Sequence, residues 1–189
     1  MRHDDVPAAR TGAATLDPAS SQIAPLKELK DYKVAKEDPD VRGWTLIGRD
    51  GRVIGKVHDL LVDTGAMRVR YLDVELDPDL LASAPVVPGT AGLPQVPERS
   101  DSREPLRHHV LAPIGFARLD EDHDRVFLDG MDAHDAAVLP AYDHKAFSRE
   151  YETGVRRRWD PRWSPAPNQD FYAGEAYDDS RFYGPRRRR

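Results

Sequence analysis

Five carboxylates crowd the most regular stretch of this chain, "GRVIGKVHDLLVDTGAMRVRYLDVELD" (51–77): Asp59, Asp63, Asp73, Glu75 and Asp77. Two carboxylates perform acid–base chemistry when they share a cleft and their surroundings push their pKa values apart. The spacing here argues for a plainer role. Asp63 precedes a glycine-containing turn, Asp73 and Glu75 alternate with Leu72, Val74 and Leu76, and Asp77 precedes Pro78. Such positions predict carboxylates that face water or cap turns. The histidines raise the question of a metal. His108 and His109 are adjacent, so on a strand they point to opposite faces. His58, His123 and His134 are scattered, without HxH or HxxxH spacing. Asp120, Asp122 and Asp124 alternate like calcium ligands but lack the glycine and distant glutamate of such a loop. No metal centre is expected.

Other reactive patterns fail for stated reasons. There is no cysteine, which removes disulfides, thiolate ligands and cysteine nucleophiles. Gly48, Gly51 and Gly55 lie between strand-like flanks, whereas a phosphate-cradling loop opens a helix. The serines Ser20, Ser21, Ser83, Ser100, Ser102, Ser148, Ser164 and Ser180 lie in loops and tails, none in a nucleophile elbow. The sequence reads as a non-enzyme with no cofactor.

The elements around these residues are short. The chain has 189 residues, 39% hydrophobic and 32% charged, with 16 Pro and 13 Gly. That predicts a modest folded domain with long polar extensions. Residues 1–25 lack a hydrophobic period and are expected to be disordered. Leu26, Leu29 and Tyr32 fit one helical turn. Asp50-Gly51 separates two β-runs, a strong hairpin signal. "DTGA" (63–66) makes a second turn. In the next run Met67, Val69 and Tyr71 hold one parity, while Leu72, Val74 and Leu76 hold the other. One inward face cannot take both sets without a bulge near 70–73. Val69, Tyr71, Leu72 and Val74 are all expected to reach the core. A proline-rich insertion (78–107) follows. His109–Ile114, Phe116–Leu119 and Arg125–Leu128 read as three more strands, and Asp132 caps a short helix stopped by Pro140. About six short antiparallel strands and a short helix predict a mainly β fold, a small bent barrel occupying 26–145.

The remainder, 146–189, is a tail rich in arginine and aromatics. From Val155 onward nine Arg oppose five acids, so this part carries +4 against a whole-chain charge of −5. Trp159, Trp163, Phe171, Tyr172, Tyr177, Phe182 and Tyr183 are too many aromatics for an inert tail. They predict docking, either on the chain's own domain or on a partner. Arg186, Arg187, Arg188 and Arg189 could neutralise the phosphates of nucleic acid or anionic lipid. No apolar run reaches a membrane span, and no secretory signal opens the chain. A soluble cytoplasmic protein is expected.

Taken together, "DYKVAKEDPDVRGWTLIGRDGRVIGKVHDLLVDTGAMRVRYLDVELD" and "HHVLAPIGFARLDEDHDRVFLDGMDAHDAAVLPAYDH" resemble the PRC-barrel domain, most closely the cytoplasmic domain of the photosynthetic reaction centre H subunit without its transmembrane helix. "FYAGEAY" (171–177) is similar to the aromatic–glycine segment after that barrel. The resemblance implies a protein-interaction module whose unidentified protein partner could be a second copy of the chain or a membrane complex. An H-like role would imply photosynthetic electron transfer and proton delivery to quinone, at the inner face of the cytoplasmic membrane. Asp63 then matches an acidic proton-path position, whereas the acid three residues later in some H subunits is Ala66 here.

Overall fold

The computed structural model describes residues 22–83, 108–166 and 170–184. Seven strands among these residues form one sheet: β1 (Ile23–Pro25), β2 (Thr45–Gly48), β3 (Val53–Asp63), β4 (Arg68–Leu76), β5 (His109–Pro113), β6 (Ala117–Asp120) and β7 (Arg125–Leu128). Among the described residues four short α-helices accompany them: α1 (Pro78–Ser83), α2 (Ala133–Ala137), α3 (Arg149–Trp159) and α4 (Ser180–Tyr183). The strand order is β5-β4-β3-β2-β7-β6, with β1 on the far end of β3. Gly51 takes φ +74° in the β2–β3 turn, a conformation that costs glycine little.

Two expectations are corrected. The sheet is not wholly antiparallel, because β2 pairs with β7 in parallel. The chain reaches β7 only after the β5–β6 connection, so no local turn fixes its direction. Ile23–Pro25 is not a structureless lead-in: Ile23 pairs with Asp63 and Pro25 with Leu61. The insertion opens with α1, which buries Leu80 and Leu81. The expectations for 1–21 and for the rest of the insertion, 84–107, lie outside the described residues.

The parity slip is real: a bulge in β4 produces it, and a second bulge in β3 does the same for that strand. Leu61 pairs with Tyr71 but Val62 with Val69, which leaves Arg70 as the extra residue of β4. Val57 pairs with Val74 but Asp59 with Asp73, which leaves His58 as the extra residue of β3. A bulge lets two consecutive residues serve one side of a sheet. Val69, Leu72, Val74 and Leu76 therefore reach the inner core, as do Val57, Leu60 and Val62. Tyr71 does not join them. It lies in a second cluster with Leu61 and Leu111, on the opposite face.

The inner cluster draws on β2 through β7: Leu46, Ile54, Leu60, Leu72, Val74, Val110, Ala117, Val126 and Leu128 belong to it. A sheet whose strands from one end to the other bury into one cluster must curl around it, as a barrel wall does. No ladder joins β5 to β6 among the described residues, but only the turn at Ile114–Phe116 separates them. Met131, Ala133, Ala136, Ala137 and Leu139 add to the same cluster. Asp132 caps α2 by accepting a hydrogen bond from Asp135 N at 2.9 Å, as its position predicts.

Candidate functional site

The outward face of β3, β4 and β5 is covered by the chain's own C-terminal segment. That segment begins with α3, whose N-cap Ser148 accepts from Tyr151 N at 3.2 Å. Glu150 and Glu152 stand in its first turn and Arg156, Arg157 and Arg158 in its last. These charges suit the two ends of a helix dipole. Val155, Ala176 and Tyr177 then pack on Leu61, Tyr71 and Leu111. The Trp159 ring stacks on Phe116, with centroids 5.6 Å apart, and donates its indole N–H to Leu111 O at 3.0 Å.

Glycine at 115 permits the closest approach. A Cβ there would lie 1.7 Å from Glu175 O and 2.8 Å from the carbonyl carbon of Ala176. Backbone meets backbone, and no side chain could be accommodated by moving a flexible end.

A polar network lies under this cover. Glu152 is completely buried. Its Oε1 accepts from Tyr71 Oη at 3.0 Å and also from the Tyr172 hydroxyl. Tyr71 Oη and Tyr177 Oη are 2.9 Å apart. The other oxygen, Oε2, lies 3.0 Å from Arg149 Nη1. Burial, the strongest influence, pushes the Glu152 carboxyl above the usual glutamate range, against the Tyr172 hydrogen bond, Arg149 and Tyr71, which pull it down. Burial likewise raises the Tyr71 and Tyr177 phenols, so both are protonated donors at neutral pH. Arginines are layered between the rings. The Arg149 guanidinium lies 4.2 Å from the Phe171 centroid, Arg70 4.7 Å from Tyr172, and Arg156 5.2 Å from Phe116. Such cation–π contacts contribute about 0.5–1 kcal/mol where the cation is exposed, as at Arg149, and about 2 kcal/mol where it is desolvated, as at Arg70 and Arg156.

The aromatic residues singled out in the sequence thus gather on their own domain. Trp159, Phe171, Tyr172 and Tyr177 belong to the outer layer, and Trp163 meets Phe171 edge-to-face at 5.6 Å. Phe182 and Tyr183 instead reach the inner cluster. Arg186 to Arg189 lie outside the described residues.

Asp63 is nearly buried and fully engaged. Its Oδ1 accepts from Gly65 N and Ala66 N at 3.1 and 3.0 Å. Its Oδ2 accepts from Arg70 Nε and Nη2 at 3.2 and 3.0 Å. The bulge at Arg70 aims this guanidinium at Asp63. Two other carboxylates depart from expectation. Asp59 and Asp73 are not on a wet face; they are 0% and 3% exposed. The bulge turns His58 and Asp59 to the outer side, and the neighbouring segments close over it. Asp77 does cap a turn, accepting from Asp79 N at 2.8 Å.

The family model of the PRC-barrel domain matches residues 33–134 of this fold. The chain belongs to the PRC-barrel family. The matched span covers β2 through β7 and ends within α2, so β1 and the aromatic cover lie outside it. The PRC-barrel match thus accounts for the curled sheet, while the outer layer is an addition to it. No helix among the described residues is long and apolar enough to cross a membrane.

Proposed function

We propose that this PRC-barrel protein is a non-enzymatic interaction module whose outer sheet face receives an aromatic- and arginine-rich segment. The observation that carries this reading is the face itself: Leu61, Tyr71 and Leu111 form an apolar patch, next to a backbone notch at Gly115, that already holds such a segment in cis. The same face offered to another chain would recognise a protein ligand by the same means. Buried aromatic and arginine anchors are the residues that dominate protein interfaces. The occupant in trans is a partner protein or the tail of a second copy, since a segment that docks on its own domain can exchange between protomers.

The test is a comparison of the full chain with a form truncated after residue 145. The truncated form is expected to bind a synthetic 146–184 peptide in trans and to capture more partner protein than the full chain. If it stays folded yet binds neither, the reading fails. A role in light-driven electron transfer has no comparable support, because both oxygens of Asp63 are already held by turn amides and Arg70.

A further inference from the structure

Beside the tail-covered patch, the bulge in β3 brings together groups that are far apart in the sequence. His58, Asp73 and His109 each offer one donor atom, and these atoms all lie within 4.8 Å of one another. We propose that they form a binding site for Zn2+ or another divalent transition-metal ion that prefers imidazole.

Register explains the convergence. His109 on β5 pairs with Glu75 on β4, and Asp73 lies two residues back on the same face. His58 is the bulged residue of β3, opposite the Val74–Asp73 step. Three adjacent strands therefore contribute one ligand each. Rigid strands place donors more firmly than loops do.

The donor set selects the ion. Two imidazoles and a carboxylate suit zinc, as they suit other late first-row ions. Magnesium and calcium prefer sites made wholly of oxygen. With Zn–N and Zn–O bonds of about 2.0–2.2 Å, tetrahedral ligands stand roughly 3.3–3.5 Å apart. His109 Nδ1 and Asp73 Oδ1 are 2.7 Å apart and would separate slightly. The remaining donors would close by side-chain rotation. Glu75 Oε2, 3.9 Å from His58 Nδ1, is placed to supply a fourth oxygen.

Access and charge also fit. The His58 and Glu75 side chains are each 32% exposed, while Asp73 is only 4% exposed. An ion can therefore enter from one side and rest on a buried carboxylate. Asp59, the residue after His58, is wholly buried, and its Oδ1 has no hydrogen-bond partner among the described residues. Arg42 Nη1 lies 4.0 Å from that oxygen. One group competes with the ion. The Lys27 ammonium lies 3.0 Å from His58 Nε2. It sits on an exposed side chain that can swing away, and its removal would relieve repulsion of a divalent ion.

Competition of the full chain with a chromophoric chelator, in Zn2+ and separately in Mg2+, tests this site. One Zn2+ per chain is expected, with no Mg2+ bound under the same conditions. His58→Gln and His109→Gln should each weaken zinc binding by about tenfold or more, at least the loss that follows removal of a mere supporting partner of a ligand, with unchanged circular dichroism. Lys27→Gln should tighten it. Absence of stoichiometric zinc, or zinc that survives both histidine substitutions, overturns the site. If the histidine variants fail to fold, Lys27→Gln decides, and an affinity that does not rise overturns the site.

Discussion

On the inner face of β4, Leu72, Val74 and Leu76 meet Leu46, Ile54, Leu60 and Val126, all aliphatic and all from strands. On the outer face of the same strand, Tyr71 meets Tyr177, Glu152 and Phe147, all supplied by residues beyond 145. The inner face is secured by burial of carbon, about 1.5–3 kcal/mol per large side chain. The outer face adds phenols, guanidinium groups and a carboxylate, each of which must keep its partners or lose more than the contact is worth. One strand therefore belongs to two structures of different tolerance. The inner core should withstand changes of polarity elsewhere and fail when its volume is cut. The outer layer should fail when one partner or one close approach is spoiled, while the barrel beneath survives.

Four substitutions separate the two. Leu72→Ala, in the inner core, should lower global stability by about 2–5 kcal/mol, as buried leucine truncations do, read from urea denaturation. A loss near zero would mean that Leu72 is not in the core. Gly115→Ala should cost about 1–3 kcal/mol, the range for overpacking, and confine the damage to the cover. Hydrogen exchange should then show lost protection over 149–177 with β3 and β4 still protected; equal loss in both would show that the faces are one unit. Glu152→Gln sharpens the electrostatic side. The folded carboxyl lies above the ordinary value of 4.5. Its contribution is thus fully present in acid, where folded and unfolded forms both hold the proton. It is lost as pH rises past the ordinary value and through the raised one. Wild type and Glu152→Gln should therefore dock the tail alike in acid, and the wild type less firmly at neutral pH. Protease protection of the tail that differs by the same amount at every pH would count against this. The smallest effect is expected for Ser148→Ala, which removes the α3 cap and should loosen the cover by about 1 kcal/mol. Thermal melts followed by tryptophan fluorescence would report it through Trp159 and Trp163.

The inner structure was largely legible, because it is local. Asp50-Gly51 announces its turn, and Asp132 its helix. The displaced parity of Tyr71 and Leu72 announces a bulge, although not which of the two residues turns outward. Their separation required knowing that a second layer exists. The cover was legible as an aromatic excess but not as a helix, because three consecutive arginines obscure the apolar period of α3. Its termini carried the missing signal: serine at the cap, acids in the first turn and arginines in the last. The meeting of His58 with His109 depends on register across β4, and spacing along the chain does not encode it. The parallel pairing of β2 with β7 is hidden for the same reason.

That parallel pairing also sets an order of events at the ribosome. Thr45 pairs with Arg125, so β2 is made eighty residues ahead of the strand that completes it. At typical synthesis rates the interval is on the order of ten seconds. Once β4 is made, the β2–β3–β4 meander can fold while the second edge of β2 stays open to any extended segment nearby. The hazard is limited by length, since β2 spans only Thr45–Gly48 and so short an edge is a poor template for foreign strands.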